Sequence, residues 1–184
     1  MSRSGLFLKE TLRRPGEVVA LAPSSRAVAR KMTAGLERVS GPIIEIGPGT
    51  GSFTREILAR GVPPSRLTLM EINDQFCASL KTQFPGVRVV NRPAQDIHAL
   101  GLHSVGAVIS GVPVLARPKI QRDVVGRALD VMAKGGIFVQ ITYSLRAPIS
   151  TAMQAELGIC ADYRGMVLAN LPPAHVYVFR RIQH

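Results

Sequence analysis

Three glycines at alternate positions, Gly47, Gly49 and Gly51, follow a short apolar run that carries an acid, Ile43-Ile44-Glu45-Ile46. Directly after them, Ser52-Phe53-Thr54-Arg55-Glu56-Ile57-Leu58 reads as the start of a helix. Glycine is required where a chain turns sharply from strand to helix and where a ligand must touch the backbone. The alternate spacing differs from the Gly-x-Gly-x-x-Gly of dinucleotide enzymes and from the lysine-bearing phosphate loop. The next predicted strand, Arg66-Leu67-Thr68-Leu69-Met70-Glu71, ends in an acid about 20 residues beyond the last glycine. A carboxylate placed there can accept strong, charge-assisted hydrogen bonds from the two hydroxyls of a ribose. One strand later, Val87-Arg88-Val89-Val90 leads to Ala94-Gln95-Asp96-Ile97, with another acid at the exit. Taken singly, Glu71 and Asp96 read equally well as helix caps. In order on successive strands, the three features describe one ligand crevice.

This succession resembles the cofactor site of S-adenosylmethionine-dependent methyltransferases. The resemblance implies a cofactor site made of Glu45, Gly47, Gly49, Gly51, Glu71, Ile72, Asp96, Ile97 and Ser110.

From residue 42 onward short apolar runs alternate with helical patterns, which predicts a mostly parallel sheet covered on both faces. Strands are expected near 42–46, 66–71, 87–90, 105–110 and 136–143, and helices near 51–60, 74–84, 118–133 and 148–157. Two last strands, near 163–169 and 174–181, are joined by Leu171-Pro172-Pro173 with no helix between them, so they should form an antiparallel hairpin. The expected fold is therefore a Rossmann-like α/β sheet of seven strands, the ending typical of class I methyltransferases. Residues 1–40 differ in character and are expected to form a helical extension before a core at 41–184. Within that extension, Ser24-Ser25 can cap a helix running through Ala27 to Val39.

At 184 residues, with 46% apolar content, the chain has the mass for one domain with a sizeable core. Cys77 and Cys160 and the four histidines show no metal-ligand spacing, and the two cysteines suit a reducing cytoplasm. His98, close behind Asp96, reads as a polar loop residue. The start of the sequence lacks the pattern of a secretory signal. Ala99 to Ala116 is free of formal charge over 18 residues, but its glycines, serines and Pro113 suit a buried strand between loops rather than a membrane span. Lys and Arg number 23 against 12 acids, a net +11 and a pI near 10.8, which attracts polyanions such as nucleic acid or anionic lipid.

Over nearly its whole length the chain resembles the short bacterial phospholipid N-methyltransferases. The more specific segments are Ala22-Pro23-Ser24-Ser25-Arg26, Ser110-Gly111-Val112-Pro113 and Asn170-Leu171-Pro172-Pro173-Ala174. That family methylates the amine of phosphatidylethanolamine, toward phosphatidylcholine, at the inner face of the cytoplasmic membrane. Ribosomal RNA adenine dimethyltransferases share the cofactor motif but carry Asn-Leu-Pro-Tyr where this chain has Ser110-Gly111-Val112-Pro113, which argues against RNA. RNA adenine and small-molecule amines remain the alternative acceptors.

On this reading Ser110, with its carbonyl, accepts hydrogen bonds from the acceptor amine, and Tyr143 forms an opposite wall, although it also reads as a packing aromatic. Arg146, Arg117 and Arg180 are candidate partners for a lipid phosphate, Arg146 first, since a guanidinium grips phosphate bidentately. Ahead of the core, Leu6, Phe7, Leu8 and Leu12 form a small apolar stripe flanked by Lys9, Arg13 and Arg14. A helix this short needs a surface to fold against. Both a lid over the cofactor and a membrane interface qualify.

Overall fold

The computed structural model describes residues 25–112, 118–170 and 172–182. Parallel strands β1 (Ile43–Ile46), β2 (Leu67–Glu71), β3 (Arg88–Asn91), β4 (Val105–Ser110) and β5 (Met132–Thr142) are joined to β6 (Ile159–Val167) and β7 (Ala174–Arg181). The sheet order is β3-β2-β1-β4-β5-β7-β6, and β7 runs antiparallel to both of its neighbours. The expected seven-stranded sheet with a closing hairpin is therefore present. Burial decides the arrangement: every residue of β1, β2 and β4 is buried, as strands covered on both faces require.

Helices α1 (Arg26–Met32), α2 (Ser52–Ala59) and α3 (Asp74–Gln83) contribute Val28, Phe53, Ile57 and Leu80 to the core on one face. The opposite face packs Ile97 and Leu100 from a 3-10 helix (Ala94–Leu100), together with two further helices. One of these, α4, begins as Pro118–Gln121, passes through a π-helical turn at Arg122–Gly126 and ends as Arg127–Val131. The other is α5 (Thr151–Leu157).

The helix expected from Ser25 to Val39 stops early. Ser25 caps α1 by accepting a bond from Val28 N–H, but the helix ends at Met32 and Gly35 turns left-handed at φ 84°. Only a 3-10 turn at Leu36–Arg38 follows. Val28, Ala29, Met32 and Leu36 are buried in the core, so this part of the expected extension is built into the fold. Residues 1–24, with the proposed lid or membrane stripe, lie outside the described residues.

Reversal of strand order falls between β1 and β4, where open α/β sheets form their ligand crevice at the carboxyl ends. At the opposite end, β4 begins so close to the preceding loop that a Cβ on Gly106 would lie 1.9 Å from the carbonyl oxygen of Ser40. Gly106→Ala should therefore destabilise the protein by roughly 2–4 kcal/mol in urea unfolding, because backbone must move. Gly135→Ala, whose Cβ meets nothing within 4 Å, should stay near wild type.

Candidate cofactor and acceptor site

Glu45, in the middle of β1, is completely buried. Its Oε2 accepts a hydrogen bond from the Thr54 hydroxyl at 2.7 Å, while Oε1 has no partner. Thr54 lies on α2, so this bond ties the strand to the helix that leaves the glycine turn. Burial, with a smaller contribution from the nearby Glu71 charge, raises the Glu45 pKa from 4.5 to about 7, against the lowering effect of Thr54.

Glu71 closes β2 and organises the same turn. Its Oε1 accepts from the N–H groups of Ile72 and Asn73, both at 2.9 Å, and its Oε2 accepts from Gly49 N–H at 3.1 Å. A carboxylate offers about four acceptor positions, so these bonds leave about one for a ligand hydroxyl. The pair of bonds to a ribose diol expected at Glu71 therefore requires the Gly49 N–H to be released.

The three glycines do different work. A side chain on Gly47 would strike Val112 at 2.5 Å, and one on Gly51 would strike the Phe84 ring at 2.5 Å. Both permit close packing. Gly49, at φ 54°, has nothing within 4 Å of its missing Cβ, so it faces open space beside the Glu71 carboxylate. Ile72, next to Glu71, is 70% exposed and offers an apolar surface at the same edge. Asp96 stands at the exit of β3, paired with Arg92 at 3.7 Å. Ile97, expected in the cofactor site, instead packs in the core with Ile44 and Met70, because the 3-10 turn directs it inward.

Across the switch point, Gly111 N–H donates to Ile46 O at 3.0 Å and draws the exits of β1 and β4 together. Ser110 is fully buried, with its hydroxyl 3.5 Å from Val112 O, a long contact. Its strand partner is Gln140, which the sequence reading overlooked. Gln140 Nε2 donates to the carbonyls of Val112 and Ile141, both at 2.9 Å, and these two bonds fix the orientation of the amide. Its Oε1 is buried without a partner. A lone amide inside the run Ile137-Phe138-Val139-Gln140-Ile141 was the available signal. Tyr143 is partly buried and packs against the core face that holds α1 and α2. By strand alternation Ser110 lies on the other face, with Val108, so the two do not form facing walls.

Arg146 is exposed in the loop after β5, at the acceptor end. Arg180 is not: β7 is antiparallel, and Phe179 pairs with Phe138, so Arg180 falls toward the amino end of the parallel strands. Its expected place beside a substrate phosphate is thus corrected by strand direction. Arg117 lies outside the described residues.

The sheet order, the glycine turn at the end of β1 and the carboxylate at the end of β2 define a class I S-adenosylmethionine-dependent methyltransferase, and S-adenosylmethionine is the cofactor this fold class implies. Gly49, Glu71 and Ile72 fit it: open space over a backbone turn, an acceptor with capacity left, and an exposed apolar side chain. No protein-family model matches the chain. The ornithine lipid N-methyltransferase of Singulisphaera acidiphila is 30% identical over 146 residues, which cover 74% of this chain and 76% of that enzyme. The chain belongs to the family of this enzyme.

Solved structures agree on the fold at low identity. The 1,6-didemethyltoxoflavin-N1-methyltransferase of Burkholderia thailandensis superposes with a TM-score of 0.66 at 14% identity, covering 96% of this chain and 86% of its own. The CcbJ methyltransferase of Streptomyces caelestis gives 0.65 at 15%, covering 88% and 91%. An rRNA methylase of Streptococcus thermophilus gives 0.59 at 13%, covering 85% and 95%.

Two outcomes are expected. Gly49→Val should abolish cofactor binding in calorimetry, since a side chain would enter the open space. Glu71→Ala should weaken it by roughly 1.5–3 kcal/mol through lost charge-assisted bonds. For Glu45 the folded pKa exceeds the unfolded one, so its effect on stability is absent below pH 4.5. As pH rises from there to about 7, the unfolded chain releases the proton that the fold retains. Stability should fall by up to about 3 kcal/mol over that window and then level off. Glu45→Gln should remove this contribution from the pH dependence of urea unfolding.

Proposed function

We propose that this methyltransferase transfers a methyl group to the primary amine of a membrane aminolipid, with ornithine lipid and phosphatidylethanolamine as the two headgroups to distinguish. The observation that carries the reading is the 30% identity to an ornithine lipid N-methyltransferase over 76% of that enzyme. Resemblance of the three specific segments to phospholipid N-methyltransferases points to the same class of acceptor.

When bound, S-adenosylmethionine supplies an electrophilic methyl group, and the protein's task is to align a neutral amine behind it. An alkylamine is protonated in water, with a pKa near the lysine value of about 10.4, and desolvation favours its neutral form. Acceptor groups cluster where the amine would lie: Ser110, the Val112 carbonyl and the Gln140 amide oxygen, all at the exits of β4 and β5. An amine N–H has use for such acceptors. Ser110-Gly111-Val112 offers neither an amide side chain nor a ring for a flipped base, which disfavours RNA adenine as acceptor.

Arg146 is the described arginine of the three suited to a headgroup phosphate, although ornithine lipid carries none. Among the described residues no helix is long and apolar enough to cross a membrane. An aminolipid acceptor calls for contact with the bilayer surface, on its cytoplasmic side in this reading, through Leu6, Phe7, Leu8 and Leu12, with Lys9, Arg13 and Arg14 drawn to anionic lipid.

The test is incubation of the full chain with labelled S-adenosylmethionine and liposomes holding both aminolipids, followed by mass spectrometry of the lipids. Methylated aminolipid is expected. Equal turnover of free ornithine or ethanolamine would instead support a small-molecule enzyme, and methylation of ribosomal RNA would support the RNA reading. Arg146→Gln should raise KM for phosphatidylethanolamine and leave KM for ornithine lipid near wild type. Deleting residues 1–14 should reduce sedimentation with anionic vesicles and leave the melting of the core in place.

A further inference from the structure

A cavity of about 740 Å³ opens on the face of the sheet that carries α1. Its walls come from the end of α1 and the turn after it, from the start of β4, from β5 as far as Val139, from the middle of β6 and from the end of β7. Its lining residue Val139 packs with Met32 and Val178 on the face that holds α1, whereas Ser110 and Gln140 lie on the opposite face by strand alternation. The cavity is therefore separate from the cofactor and acceptor site.

Four cations line it, Lys31, Arg38, Arg164 and Arg180, and no carboxylate does. The nearby acids are weakly committed. Asp162 pairs with Arg164 at 3.0 Å and Arg180 at 3.4 Å, with all three side chains more than 40% exposed. Glu37 is shared between Arg38 at 3.5 Å and Arg60 at 3.8 Å. Exposed pairs of this kind hold their partners loosely, so an incoming anion with more acceptor oxygens can take over the guanidinium groups. Behind the cations the lining is apolar, including Met32, Ile137, Val139 and Val178. A volume of this size lies in the range of small-ligand sites.

We propose that this cleft binds a phosphate ester with an apolar body, the phosphate held by Arg164, Arg180 and Lys31 and the body resting on Met32 and Val178. Cations around an apolar floor match an amphipathic anion better than a bare inorganic one. Guanidinium forks from the adjacent antiparallel strands β6 and β7 suit the several oxygens of a phosphate. The ligand chemistry is shared by soluble phosphomonoesters and by the headgroup of an acidic phospholipid.

Calorimetry on the full chain tests this with three probes: inorganic phosphate, phenyl phosphate, and dihexanoyl phosphatidate kept below its micelle concentration. Phenyl phosphate should bind at least about tenfold more tightly than inorganic phosphate, and the Lys31→Gln/Arg164→Gln double variant should lose at least about tenfold. Saturating S-adenosylhomocysteine should not displace it. A further gain with dihexanoyl phosphatidate would support the cleft and assign a lipid source, while equal binding of both esters would support it and assign a soluble one. Thermal melting of the double variant should match wild type, and Arg180→Gln supplies an independent reduction in affinity if it does not. The proposal fails if phenyl phosphate gives no binding up to about 10 mM, if both variants bind as wild type does, or if S-adenosylhomocysteine competes.

Discussion

One backbone amide, the N–H of Gly49, joins the carboxylate at the exit of β2 to the turn at the exit of β1. The rest of the cofactor end depends on that contact. Glu71 can reach Gly49 because β1 and β2 are in register, Glu45 opposite Leu69 and Ile46 opposite Met70. Its other oxygen accepts from Ile72 and Asn73, so two further bonds orient the carboxylate when the Gly49 N–H is released to a ligand. Gly47 and Gly51 let the turn lie against Val112 and Phe84 without a side chain between them, and this leaves the space over Gly49 clear.

Beneath this turn lies a group under electrostatic stress. Glu45 takes a hydrogen bond from the Thr54 hydroxyl on one oxygen and leaves the other unpartnered in a fully buried position. Removing a carboxylate from water disfavours its charged form, which is why the proton is retained to about pH 7. Gln140 carries a smaller version of the same burden at the β4–β5 exit, an amide oxygen buried without a partner. Unsatisfied polar atoms are uncommon in folded interiors. Both residues flank the crevice that the strand reversal between β1 and β4 creates.

The protein also separates its charges. Glu71 and the unpartnered oxygens stand at the cofactor and acceptor crevice, whereas Lys31, Arg38, Arg164 and Arg180 line the cavity on the α1 face. A net charge of +11 gives attraction for polyanions over the whole surface, but a cavity concentrates it.

Local sequence determined much of this. The apolar runs marked the seven strands, most of them within a few residues of their limits, and most sharply β1, β2 and β4, because a strand buried on both faces must be mainly apolar. Glycine spacing and the acids at strand exits marked Glu45, Gly49 and Glu71, since turn geometry and strand polarity are local properties. Tertiary structure decided what depends on strand direction and on neighbours distant in sequence. Arg180 could be placed only once β7 was seen to run antiparallel, and Ser110 and Tyr143 separated once strand alternation assigned them to opposite faces. Gln140 gained its significance from a carbonyl 28 residues away. The packing roles of Gly47 and Gly51 likewise depend on Val112 and Phe84, whose approach no pattern along the chain encodes.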